Sequence, residues 1–113
     1  MLPRRGAVYM VDFEPARPSE ANKIRPAIVV TANIANTNGT SVVVIPITSK
    51  VQRVYPFQLL LPTKDSNLEF ESKAQTELIR SVSKTRLQKH LGALPDEIME
   101  ELDSRIKLHL GLT

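Results

Sequence analysis

Ser41-Val42-Val43-Val44-Ile45-Pro46-Ile47-Thr48 is the most apolar stretch of the chain, and its reading decides the fold. Val42-Val43-Val44-Ile45 shows no solvent-facing alternation, so the segment reads as a central strand buried on both faces of a sheet. Pro46 interrupts it late and predicts a bulge or bend that re-aims Thr48 and Ser49.

Working outward from this strand, Ile24–Thr31 reads as a second one, with Pro26 near its beginning, where a missing N–H is tolerated. Gly6–Phe13 mixes β-branched, aromatic and other apolar residues as a mostly buried strand does. Between the two, residues 14–23 are polar and carry Pro15 and Pro18, which predicts an exposed loop of the kind that often carries function. Residues 32–40 are rich in turn formers and close the next connection. Tyr55–Leu61 and Gln75–Val82 give two more strands, separated by the turn-rich residues 62–67. Helical signals come only at the end. Ser83 is placed to cap a short helix through Thr85, Leu87 and Leu91 that stops at Gly92. A longer helix follows: Pro95 suits a first turn, Asp96 and Glu97 complement the positive dipole end, and Ile98, Leu102, Ile106 and His109/Leu110 form one apolar face before Gly111. Five short strands followed by two helices predict a mainly β fold with C-terminal helices, a compact barrel occupying residues 1–113 as a single domain.

Composition sets the outer limits. A chain of 113 residues buries one core without disulfides, and the absence of cysteine excludes disulfide bridges, thiolate metal sites and thiol nucleophiles. Neither a signal peptide's apolar stretch nor a membrane span is present in the sequence, which makes the cytoplasm the default compartment. His90 and His109 stand nineteen positions apart with no ligand at metal spacing, and the four glycines are too scattered for a phosphate-cradling loop. The net charge of +3 is unevenly spread: residues 1–56 carry seven Lys/Arg against three acids, residues 57–113 eight against nine. A basic N-terminal half favours a polyanionic partner, because cations that neutralise phosphates release condensed counterions. Solvated surface charge accounts for the same composition equally well.

Polar residues gather at strand ends. Glu20 and Arg25 flank the end of the first long loop, Thr48 and Ser49 close the third strand, and Glu77 and Arg80 lie on the last. On an extended segment Glu77 and Ile79 point one way, Leu78 and Arg80 the other. Taken by themselves these are ordinary polar residues at strand termini.

Their order along the chain carries more. Arg5-Gly6-Ala7-Val8-Tyr9, Ser19-Glu20, Arg25-Pro26-Ala27-Ile28-Val29-Val30, Ile45-Pro46-Ile47-Thr48-Ser49 and Glu77-Leu78-Ile79-Arg80-Ser81-Val82 resemble the successive motifs of MazF/PemK-like toxins. Each motif alone is weak, and the ordered set over nearly the whole chain is specific. The resemblance implies an SH3-like barrel of the MazF/CcdB toxin type that works as a homodimer and cleaves messenger RNA at short single-stranded sequences, inhibiting translation and growth, with no metal or other cofactor. Arg25 and Thr48 match the family's catalytic arginine and threonine. The implied reaction is attack of the ribose 2′-hydroxyl on the adjacent phosphorus, leaving a 2′,3′-cyclic phosphate and a 5′-hydroxyl. Arg25 then stabilises the phosphorane and protonates the leaving oxygen, and Glu20 or Glu77 takes the 2′-hydroxyl proton. Lys23, Ser49, Lys50, Arg53, Arg80 and Arg86 are the expected RNA contacts, with Phe13 or Tyr55 the available stacking rings. The resemblance also implies a MazE-like antitoxin whose acidic, apolar tail covers the RNA site. Pro18, where the family often has glycine, and Ser81-Val82-Ser83, where many relatives have Thr-Ile-Asp, are departures that bear on RNA sequence preference. Two other functions fit the same fold: a CcdB-like gyrase poison and a noncatalytic nucleic-acid-binding module.

Overall fold

Gly6 leads into the first strand with φ +94, a left-handed conformation that glycine adopts without strain, and its N–H donates to the Val29 carbonyl at 2.7 Å. In the computed structural model, which describes residues 2–13 and 24–112, the elements run β1 (Ala7–Asp12), β2 (Ile24–Val29), α1 (Asn33–Asn38), β3 (Ser41–Thr48), β4 (Leu59–Leu61), α2 (Thr63–Ser66), β5 (Ser72–Ala74), β6 (Arg80–Ser83), β7 (Leu87–Ala93) and α3 (Asp96–Leu110). Every pairing among the strands is antiparallel, in the order β4-β5-β3-β2-β1-β7 with β6 also on β3.

β3 is central, as its apolar run demands. One side pairs with β2, and the other is divided: Ser41–Val44 pair with β6, Ile47 and Thr48 with β5. Pro46 stands at the changeover. It has no N–H to donate, and its carbonyl accepts from Gln75 N at 2.9 Å, which steers the chain between the two partner strands.

Alternation along the strands builds two cores. Tyr9, Val11, Phe13, Ala27, Val29, Val42 and Val44 cluster with Val82 of β6 and Leu87 of β7. Those last two strands are opposite edges of the sheet, joined by a single 3₁₀ turn, Lys84–Arg86, so the β6-β3-β2-β1-β7 portion curls until its edges meet around this cluster. Val8, Ile28, Ile45, Ile47, Leu59, Leu61 and Ala74 face the other way, onto Met99 and Leu102 of α3. Ile98 and Ile106 flank that contact as the helical spacing predicts, whereas Leu110 is exposed and His109 packs instead on Phe57 at 5.4 Å. Gly111, at φ +70, ends the helix, with Leu112 N donating to Lys107 O. No helix among the described residues is long and apolar enough to cross a membrane.

Four expectations change. The predicted helix over residues 83–92 is the 3₁₀ turn followed by strand β7. Ser83 does cap, accepting from Thr85 N at 3.3 Å, but β1 has an open edge that Leu87–Ala93 fills. Two register shifts let Leu87 enter the barrel core and Leu91 the helix-side core, so an i, i+4 apolar pair that mimics helical spacing serves both faces of one strand. Tyr55–Leu61 shrinks to β4, because the chain before Leu59 is held irregularly by side chains. Gln75–Val82 is broken by a 3₁₀ turn at Thr76–Leu78, which cancels the parity assigned to Glu77 and Arg80. Six residues of the turn-rich 32–40 segment form α1.

Candidate RNA-cleavage site

The two prolines that flank the β2–β3 ladder make the site. Ala27 opposite Pro46 is its last pair, and the same register, carried two residues further, sets Arg25 opposite Thr48. Pro26 and Pro46 offer no donor there, so the strands part and a cleft of about 330 Å³ opens, lined by Ile24, Arg25, Thr48, Ser49, Lys50 and Phe70 among others. Arg25 and Thr48 lie on strand positions of the same parity as the barrel core, so both project from the rim of the barrel.

Arg25 is partly buried. Its Nη2 donates to Gln75 Oε1 at 2.6 Å and reaches Ile47 O at 3.5 Å. Gln75 is neutral, so it orients the guanidinium without cancelling its charge. Thr48 Oγ1 accepts from Lys50 N at 3.3 Å, which fixes the turn after β3 and leaves the hydroxyl proton to be donated elsewhere. Ser49 and Lys50 are exposed on the cleft wall. Ile24, Leu68 and Phe70 make the opposite wall apolar.

The remaining predicted site residues distribute as follows. Glu20 and Lys23 lie outside the described residues. Glu77 is not among the groups lining the cleft: its Oε2 accepts from Gln58 Nε2 at 2.8 Å, and its Oε1 is buried with no partner among the described residues. Arg80 is exposed, its guanidinium carbon 5.2 Å from the Phe13 ring centroid, which leaves Phe13 buried beneath it. Arg86 sits 3.7 Å from Asp12, and these two arginines with Ser81 and Ser83 line a polar hollow of about 230 Å³. Arg53 is exposed, 3.2 Å from the Tyr55 hydroxyl. His90 lies on β7 with its ring 4.9 Å from that of Tyr9, and burial pushes the Tyr9 phenol above its ordinary range.

Two residues escaped the sequence reading. Gln75 has no charge to draw attention, and only the pairing of β3 with β5 brings it to Arg25. Lys73 pairs directly with Thr48, is 8% exposed, and donates from Nζ to the Arg53 carbonyl at 2.5 Å. Alternation through Ser72-Lys73-Ala74 carried the one available signal, a lysine flanked by small residues in a short strand.

Comparison with known proteins identifies the fold and the family. Residues 4–110 match the family model for the PemK-like, MazF-like toxin of type II toxin–antitoxin systems. The chain is 43% identical over 114 residues to Endoribonuclease MazF9 of Mycobacterium tuberculosis, covering 96% of this chain and 97% of that protein. Among solved structures, an endoribonuclease in complex with its cognate antitoxin from a mycobacterial species superposes with a TM-score of 0.82 at 22% identity, covering 98% and 97% of the two chains. MazF from Deinococcus radiodurans gives 0.80 at 24% identity, covering 98% of each, and both establish the shared fold. A family model that spans nearly the whole sequence and a relative matched end to end leave one conclusion: the chain belongs to the PemK-like, MazF-like toxins of type II toxin–antitoxin systems.

Proposed function

We propose that this protein is an endoribonuclease toxin that cleaves single-stranded messenger RNA in the cytoplasm through Arg25 and Thr48, and so inhibits translation. The observation that carries the reading is the convergence of these two side chains in one cleft, with Arg25 held by the uncharged Gln75. A planar guanidinium donates two parallel hydrogen bonds to the non-bridging oxygens of a phosphate, and those bonds strengthen as charge builds on the phosphorane. Thr48 adds a hydroxyl donor on the facing strand.

The reaction balances without a cofactor. The 2′-oxygen bonds to phosphorus and releases its proton to a base, the bond from phosphorus to the 5′-oxygen breaks, and that oxygen takes up a proton. An alkoxide is a stronger base than guanidine, so a guanidinium placed at the leaving oxygen can supply this proton. Of the two carboxylates, Glu77 lies outside the residues lining the cleft and is held by Gln58, and this supports Glu20, five residues before Arg25, as the base. Lys50 on the cleft wall and Arg80 and Arg86 on the rim hold flanking phosphates, with Lys23, Ser49 and Arg53 as further contacts.

A second copy of the chain and a MazE-like antitoxin complete the assembly. Leu78, in the turn that packs on α3, and Leu108 and Leu110 on that helix are exposed apolar groups for another copy to cover. The cationic cleft with its apolar wall suits an acidic, apolar tail that folds on binding.

Purified protein incubated in EDTA with mixed-sequence RNA, beside matching DNA, tests the reading. Cleavage of RNA alone, with cyclic-phosphate ends, lost in both Arg25→Ala and Thr48→Ala, is the expected result. RNA bound but intact points to a noncatalytic binding module; RNA neither bound nor cut points to a protein target such as gyrase.

A further inference from the structure

Tyr55 is held in a way that an ordinary surface tyrosine is not. It is 42% exposed and lies in a segment, residues 49–58, without strand or helix. Side chains from distant parts of the chain nevertheless fix that segment's backbone. Lys73 Nζ donates to Arg53 O, Thr76 Oγ1 to Phe57 O, and Arg105 Nη1 to Pro56 O at 3.1 Å and Gln58 O at 2.6 Å. Tyr55 N donates to Gln58 Oε1 at 3.0 Å. The Tyr55 ring is parallel to Phe57 at a centroid distance of 5.6 Å, and Phe57 rests on His109 of α3. An exposed ring is thus backed by a second ring and a helix, with its conformational entropy already lost.

The electrostatic setting is cationic. The Arg53 guanidinium carbon is 5.6 Å from the Tyr55 ring centroid and the Lys73 ammonium 5.9 Å. Lys73 is buried, and no carboxylate among the described residues pairs with it. Its position opposite Thr48 in the β3–β5 register puts the Tyr55 ring one lysine side chain away from the strand position beside the cleft. The other rings fit the role less well: Tyr9 and Phe13 are buried, and exposed Phe70 on the cleft wall is held through its carbonyl by Ser72 Oγ at 2.9 Å, with no ring contact among the described residues behind it.

We propose that Tyr55 is a stacking platform for a nucleobase of single-stranded RNA next to the scissile step, with Arg53 and Lys73 supplying charge to the phosphate beside that base. The inference rests on the ribonuclease reading above and adds a subsite to it. Stacking on a ring tolerates any base, because every base has a π-face, so the subsite contributes affinity and register rather than base identity.

The chain has no tryptophan and two tyrosines, of which Tyr9 is buried, so tyrosine emission can follow the platform directly. The probe is a mixed-sequence 2′-O-methyl RNA, which binds but has no 2′-hydroxyl to attack, and cleavage is followed with the unmodified strand. Native protein should show quenched tyrosine emission on adding the probe. Tyr55→Ala should abolish the quench, weaken binding about five- to a hundredfold and raise KM alike, with kcat at saturating RNA unchanged. Tyr55→Phe should bind and cleave within about twofold of native, because the ring is kept. Native affinity and KM in Tyr55→Ala, or a quench that survives it, overturns the subsite alone. Equal losses in Tyr55→Ala and Tyr55→Phe overturn stacking in favour of the hydroxyl contact with Arg53. A native protein that neither binds nor cleaves RNA overturns the ribonuclease reading together with the subsite.

Discussion

Arg5 and Arg25 are both partly buried and stand at opposite ends of β2, yet their surroundings assign them opposite work. Arg5 spends its donors inside the protein: Nε on the Val30 carbonyl at 2.8 Å, Nη2 and Nη1 on the Asp103 carboxylate at 2.5 and 3.5 Å, which ties α3 to the end of β2. Arg25 donates to the amide oxygen of Gln75. A carboxylate neutralises the cation it orients, whereas an amide orients it and leaves the full charge for a phosphate. If Arg25 serves the proposed cleavage, partner charge, more than burial or hydrogen-bond count, separates an arginine that staples a fold from one kept for a substrate.

The largest expected effect tests that contrast at its extremes. Arg25→Ala should lower single-turnover RNA cleavage by at least about a hundredfold, the scale seen when one transition-state donor is removed, with little change in the thermal midpoint. Arg5→Ala should do the reverse, costing about 1–2 kcal/mol of stability through the lost ion pair and carbonyl contact while folded protein cleaves at the native rate. Denaturant titration and cleavage assays on both variants decide it. Stability lost at Arg25 and activity lost at Arg5 would exchange the two roles.

A smaller effect follows from turning one arginine's setting into the other's. Gln75→Glu gives Arg25 a carboxylate partner like that of Arg5. Cleavage should fall about tenfold, and the slope of RNA affinity against salt should flatten by about 0.7, as if one phosphate contact were lost. Gln75→Ala removes orientation and not charge, so it should reduce kcat with the salt slope preserved. If both variants change the slope equally, the neutrality of Gln75 has no part in the design.

What the sequence revealed about these regions follows from how local each feature is. The β3 run and the Ile98, Leu102, Ile106 stripe are short-range patterns, and both read correctly. Gln75 acquires its meaning only when β5 pairs with β3, where Ile47 meets Ala74 twenty-seven residues later in the chain, and no local pattern marks it. β7 misleads because two bulges send Leu87 and Leu91 into different cores, which imitates helical spacing. The roles proposed for Arg25 and Thr48 come from the resemblance to the family motifs; bare periodicity leaves them as strand-end polar residues.

The smallest expected effect lies behind Arg25, in the interior that Tyr9 shares with Val11, the β1 partner of Arg25. Burial raises the Tyr9 pKa above the ordinary value of 10.0, so above that pH the unfolded chain gives up a proton that the folded chain retains. Stability is therefore fully present below about pH 10 and declines as pH rises toward the folded-state pKa, by at most about 1.4 kcal/mol per pH unit. Tyr9→Phe removes the ionisation and keeps the ring, so the difference in unfolding free energy between native and variant should narrow from about pH 9 to pH 11 in the variant's favour. A decline of the same size in Tyr9→Phe would move its cause out of the barrel interior.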